Sequence, residues 1–117
     1  MRSFNDLVFQ KHEAVSGDGK AALMKFDHHN YALSVVGGGG RFKDIIVGLF
    51  GNGPKYLMGD GETDFELGLL KKDKDGEYDL CRYEDPFDIG FDDGVIGYQT
   101  IDQVNEAIKK MEEYKAQ

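Results

Sequence analysis

Glycine punctuation constrains this chain more than any other feature. Sixteen glycines and only two prolines are spread over 117 residues, and they cut the chain into segments too short for a helix until its C-terminal end. Glycine weakens helix and strand interiors by roughly 0.5–1 kcal/mol relative to alanine and is at home in turns. Short strands joined by tight connections are what such a chain can build. No repeat of fixed period is present.

The segments between the glycines carry the strand signal. Leu7 to Lys11 is expected as a short first strand. Lys20 to Phe26 alternates, with Ala22, Met24 and Phe26 on one face, and Tyr31 to Val36 alternates with Tyr31, Leu33 and Val35 on one face. Side chains of a strand point to opposite sides in turn. These two runs, joined by the polar Asp27-His28-His29-Asn30, are therefore predicted as a β-hairpin. Asp44 to Phe50 is apolar and β-branched, a strand or a buried loop segment, and Gly51 to Gly61 is loop. Asp64 to Lys71 alternates again, with Phe65, Leu67 and Leu69 together. Asp73-Lys74-Asp75-Gly76 is a turn, and Glu77 to Tyr83 is the returning strand of a second hairpin. Glu84 to Gly94 is an acidic loop.

Thr100 with Gln103 three residues later forms a capping box. Ile101, Val104, Ala107, Ile108 and Met111 then recur at helical spacing, so an amphipathic helix is expected over residues 101–115. The expected fold is α+β, one domain over residues 1–117: an antiparallel β-meander of about five short strands packed by one C-terminal amphipathic helix. The face of the meander away from the helix must be polar or meet another chain, and a homodimer is one way to cover it.

Charge is unevenly placed. The formal net charge is −8, and residues 60–93 hold 13 acids against four bases, whereas the rest of the chain holds ten bases against nine acids. Such a surface repels the phosphates of nucleic acid and of anionic membranes, and attracts a basic partner. The expected partner-binding residues are Asp60, Glu62, Asp64, Glu84, Asp85, Asp88, Asp92 and Asp93, which would face a basic protein surface. No apolar run approaches the ~18 residues of a membrane span, the N-terminus lacks a secretory pattern, and the single cysteine, Cys81, permits no internal disulfide. The expectation is a cytoplasmic protein.

Motifs for catalysis and cofactors are thin. Gly37 to Gly40 precedes Arg41-Phe42-Lys43, not the Lys-Ser or Lys-Thr of a phosphate-binding loop, and the glycines around Asn52 lack the third glycine of a dinucleotide fingerprint. A backbone nest for a nucleotide or other anion, built from Gly38 and Gly39 with Arg41, Lys43 or Lys55, is the alternative reading. Asp73 to Gly76 matches part of a calcium loop, but Lys71 and Arg82 stand where acids are needed. The acidic loop could gather a divalent cation, though a solvated face explains the same residues. His12, His28 and His29 have no metal-ligand spacing and read as turn residues. Cys81 lies in a predicted strand, where burial is the expectation, and no nucleophile elbow exists. No enzyme activity, cofactor or metal is expected.

Several blocks together resemble a group of small proteins encoded by tailed bacteriophages. They are Phe4-Asn5-Asp6-Leu7-Val8-Phe9, Tyr31-Ala32-Leu33-Ser34-Val35-Val36, Asp64-Phe65-Glu66-Leu67-Gly68-Leu69-Leu70, and Asp93-Gly94-Val95-Ile96-Gly97-Tyr98-Gln99-Thr100. They span most of the chain, and the stretch Lys43 to Gly61 is longer here than in that group. The resemblance supplies no activity and no site. It implies a viral protein made in the cytoplasm of an infected bacterium, where a small acidic protein of this kind would bind and modulate or inhibit a host protein. A nuclease, a polymerase or an immunity factor with a basic groove would be such a target. A homo-oligomeric structural or assembly role is the remaining alternative.

Overall fold

The structure is a computed structural model and describes residues 2–11, 19–38 and 59–115. The expected segment Asp44 to Phe50, the 51–58 part of the glycine-rich loop, and His12, Gly39, Arg41, Lys43 and Lys55 lie outside the described residues.

β2 (Lys20–Lys25) and β3 (Tyr31–Gly37) form the expected hairpin, with Met24 opposite Leu33. β3 pairs antiparallel with β4 (Asp64–Lys72), placing Leu33 opposite Leu69 and Val35 opposite Leu67. The alternation read from the residues therefore lands in register. Met24, Phe26, Leu33, Val35, Phe65, Leu67 and Leu69 share one face and are all buried. A short β1 (Gln10–Lys11) joins the outer side of β2. β5 (Tyr78–Leu80) and β6 (Val95–Thr100) both pair with β4. The nine residues of β4 are long enough to seat them end to end along one side, β5 against residues 70–72 and β6 against residues 64–68. Among the described residues the result is an antiparallel meander of six strands in the order β1-β2-β3-β4-β5, with β6 beside β5 on β4.

The helix α1 (Ile101–Glu113) follows β6 without a connecting loop and lies over the apolar face, burying Val104, Ala107, Ile108 and Met111. Its capping box is formed: the Gln103 amide donates to Thr100 Oγ1 at 3.2 Å, and the Thr100 amide donates to Gln103 Oε1 at 2.8 Å. Ile101, assigned to the buried stripe by its spacing, stays 38% exposed at the corner where β6 turns into α1.

Three boundaries differ from expectation. Leu7 to Phe9 are not strand. A 3-10 turn over Phe4–Asp6 is tied to the helix by the Phe4 amide, which donates to Asn105 Oδ1 at 2.8 Å. Phe4 then packs tilted against Phe65 and Phe9 stacks on it, at ring separations of 5.1 and 5.8 Å. Closing the end of the core with two aromatic rings outweighs extending a two-residue edge strand. β5 stops at Leu80 because Cys81, whose amide still bonds the Leu69 carbonyl, turns its side chain into the core. β6 was hidden by Gly97 and Tyr98, which break the alternation. The register shifts between Phe65 and Leu67, and Tyr98 adopts a left-handed backbone at φ 55°, the geometry of a β-bulge.

At the far end of the sheet the chain passes itself too closely for side chains. A Cβ on Gly59 would sit 2.5 Å from Phe65 Cα, and one on Gly61 (φ +79°) would sit 2.7 Å from the Gly38 nitrogen. Only glycine fits both positions.

Candidate functional site

The connection from β5 to β6, residues 81–94, carries most of the candidate binding residues. It leaves β4 beside Leu69 and returns beside Gly68, because the Cys81 amide bonds the Leu69 carbonyl and the Leu69 amide bonds the Gly94 carbonyl. Gly94 (φ +86°) is required at the crossing, where a Cβ would meet the Cys81 oxygen at 2.9 Å. Between those points the loop covers the flank of the core. Phe87 is buried, and Ile89 and Phe91 pack against the core beside it. The acidic loop expected over Glu84 to Gly94 is thus also an apolar cover. The spacing of Phe87, Ile89 and Phe91 at every second residue was the signal that it also has an apolar side.

One carboxylate organises the loop. Asp85 accepts from the amides of Ile89 at 3.2 Å, Gly90 at 2.7 Å and Phe91 at 3.1 Å. Asp85 is therefore directed at its own backbone. Lys110 on α1 donates to the Asp88 carbonyl at 2.9 Å, and Arg82 pairs with Asp93 at 2.9 Å. With the backbone held in this way, Asp88 and Asp92 are exposed, and their carboxylates make no hydrogen bond or ion pair among the described residues. Asp88 and Asp93 have left-handed backbones (φ 55° and 52°), a conformation Asp tolerates better than most residues. Tyr83, 95% exposed, and Tyr98, 66% exposed, flank the loop. Neither tyrosine carries a local signal of function, apart from Tyr83 standing between Arg82 and Glu84.

Glu84 faces the other way. Its Oε1 accepts from Tyr31 Oη and Lys71 Nζ, both at 2.8 Å, with Cys81 Sγ at 3.6 Å. Lys71 and Tyr31 hold the Glu84 carboxyl below the usual carboxylate range. Burial and that same carboxylate push the Tyr31 phenol up to about 12. Burial first, then Glu84, also pushes the Cys81 thiol up, so the sulfur is held protonated and is no ready nucleophile. An open cleft of about 490 Å³ lies alongside, lined by Lys71, Lys72, Leu80, Arg82 and Tyr83 among others. Each cation in it is engaged: Lys71 by Glu84, Arg82 by Asp93, and Lys72 over the Tyr78 ring at 5.7 Å. The cleft therefore presents no concentrated positive field to an anion.

The remaining acids sit elsewhere. Asp60 accepts from the amides of Glu62, Thr63 and Asp64 and from the Thr63 hydroxyl, which hold its carboxyl far below the usual range. Asp64 accepts from the Asp60 amide at 2.6 Å. This turn stands at the start of β4, whereas Glu84 meets Lys71 near its end, seven residues on and so roughly 23 Å away. The structure thus brings Asp85, Asp88, Asp92 and Asp93 into one loop, and places Asp60, Glu62 and Asp64 in a separate turn. Gly38, the one described member of the alternative anion site, donates its amide to the Gly59 carbonyl at 3.0 Å. Among the described residues no three His, Cys, Asp or Glu side chains are arranged to hold a metal ion, and no helix is long and apolar enough to cross a membrane.

The class this geometry defines is a small α+β meander with one packed helix. Comparison with protein-family models, with curated proteins and with solved structures gives no match to this chain.

Proposed function

We propose that this chain is a non-catalytic binding protein of a tailed bacteriophage, and that it takes a basic surface of a host protein on the loop of residues 82–94. The carrying observation is the internal bracing of that loop. Asp85 occupies three of its amides and Phe87 is buried beneath it, so Asp88 and Asp92 are displayed on a backbone already fixed in place. Charges presented this way lose little freedom on association, and they steer an oppositely charged partner. Exposed Tyr83 and Tyr98 add the kind of side chain that anchors protein interfaces. The turn of Asp60, Glu62 and Asp64 adds to the negative field from the far end of β4 and is peripheral to the contact.

The test is a comparison of the native chain with an Asp88→Asn/Asp92→Asn variant and a Tyr83→Ala variant, each immobilised and exposed to bacterial lysate at low salt and at about 0.15 M. Asn tolerates the backbone of Asp88, so the variant folds. The native chain captures a basic protein whose retention weakens with salt and is lost in both variants. Identical capture by all three chains would remove the loop from recognition.

A further inference from the structure

Glu106 and Lys110 stand four residues apart on α1, with the acid nearer the N-terminus, the arrangement in which helical ion pairs form most readily. They do not pair. Lys110 Nζ reaches across to the loop of residues 82–94 and donates to the Asp88 carbonyl at 2.9 Å. Glu106 is left exposed, with no hydrogen bond or ion pair among the described residues. Between the loop and the helix lies a hollow of about 160 Å³, lined by Ile89, Gln99, Gln103, Glu106, Ala107 and Lys110. Ala107 is part of the core and Ile89 packs against it, so these two give the hollow an apolar floor. Gln103 Oε1 accepts from the Thr100 amide. The Gln99 amide is turned by the bond from its Nε2 to the Gly97 carbonyl at 3.1 Å, which leaves its Oε1 without a donor among the described residues. The hollow thus combines an apolar floor with two unfilled acceptors, the Glu106 carboxylate and Gln99 Oε1.

The geometry points to an arginine-reading hollow: it takes one guanidinium from the basic surface of the partner, with Glu106 pairing to the head and Ile89 and Ala107 carrying the methylene stem. Its size selects the class of occupant. About 160 Å³ is well below the roughly 300–1,000 Å³ of a small-molecule pocket, and suits one long side chain rather than a nucleotide. A side chain with an apolar stem and a charged head matches an apolar floor beside a carboxylate. Guanidinium fits better than ammonium, because its planar fork of donors serves a carboxylate and a separate amide oxygen at once and because it is less strongly hydrated. Lys110 also lines the hollow, so an entering cation meets a like charge. Two carboxylates stand against it: Glu106 in the hollow, and exposed Asp88, whose own carbonyl holds the lysine. The inference rests on the partner-binding reading for the source of the guanidinium. It adds a selectivity that charge alone lacks, in which an arginine-bearing surface is taken over a lysine-bearing one.

The experiment titrates the full chain with Nα-acetyl-arginine amide and, separately, with Nα-acetyl-lysine amide at equal ionic strength, following the side-chain amide resonances of Gln99 and Gln103 by NMR. The arginine probe moves them and saturates at lower concentration than the lysine probe. Glu106→Gln, a change the helix tolerates, weakens the arginine probe by roughly threefold, the scale of an exposed ion pair. Glu113→Gln removes the same charge from an exposed position further along α1 and leaves the arginine probe unchanged. Equal response to the two probes, or equal losses in the two variants, overturns the arginine hollow, because either reduces it to the overall negative field. In the lysate comparison, Glu106→Gln also weakens retention of the captured protein. Capture of no basic protein, beside an intact arginine preference, removes the partner-binding reading and leaves the hollow standing. Capture undiminished in Glu106→Gln, with no arginine preference, removes the hollow and leaves the partner-binding reading standing.

Discussion

Asp85 and Asp88 are three residues apart in the same acidic run and have opposite roles. Asp85 turns inward to three amides, whereas Asp88 is exposed on a left-handed backbone. An acid-rich composition announces a charged surface, but it does not say which carboxylates are consumed by the backbone. Only an amide opposite the side chain decides that, and here the amides come from residues the same loop folds back. Replacing Asp85 by Ala strands three donors, two of them partly buried. Unsatisfied buried donors cost about 1–3 kcal/mol each when water cannot reach them. Asp85→Ala is therefore expected to destabilise the fold by about 2–3 kcal/mol, and Asp88→Asn by less than about 0.5 kcal/mol. Urea unfolding of the two variants checks the contrast, and equal losses would show that Asp85 is not the brace.

At the scale of elements, the hairpin of β2 and β3, the strand β4 and the helix α1 were legible before any coordinates. Ala22, Met24 and Phe26, then Phe65, Leu67 and Leu69, and then Val104, Ala107, Ile108 and Met111 are all buried as their spacing required. Elements whose signal is broken by glycine were not legible. β6 contains Gly97 and a bulge, so its pairing with β4 appears only in the fold. The N-terminal segment failed for another reason: its aromatic rings found a better use against Phe65 than in a strand. The cap of α1 was readable and its energetic weight is testable. Thr100→Ala is expected to cost about 1 kcal/mol, because the Gln103 amide loses its acceptor and the reciprocal bond to the Thr100 amide loses its geometry. Thermal unfolding that shows no loss would mean that the β6 junction holds the helix start without its cap.

At the scale of the whole molecule, titration bounds stability on both sides. Lowered carboxyls such as Glu84 and a His29 lowered by burial make the folded state bind fewer protons than the unfolded chain, so stability falls as pH drops through their folded values. Tyr31 acts at the other limit. Its phenol is raised from 10.0 to about 12, so its contribution is complete below 10.0 and is lost as pH rises toward 12. Tyr31 is expected to ionise late, near 12, in a tyrosinate absorbance titration, and Tyr31→Phe removes that late phase. Absence of that late phase in the native chain would contradict the burial of Tyr31 and its Glu84 contact.

The same scale separates what was local from what was not. Strand and helix faces follow from burial repeating with the backbone's own period, a property of neighbouring residues. The excess negative charge of residues 60–93 was likewise visible as residues alone. Its division into a braced loop and a separate turn was not, because the turn sits at the start of β4 while the loop is anchored further along it, at Gly68 and Leu69. A three-way junction at His29 joins residues 29, 87 and 111, and such partners become neighbours only when the sheet and helix have closed around one core.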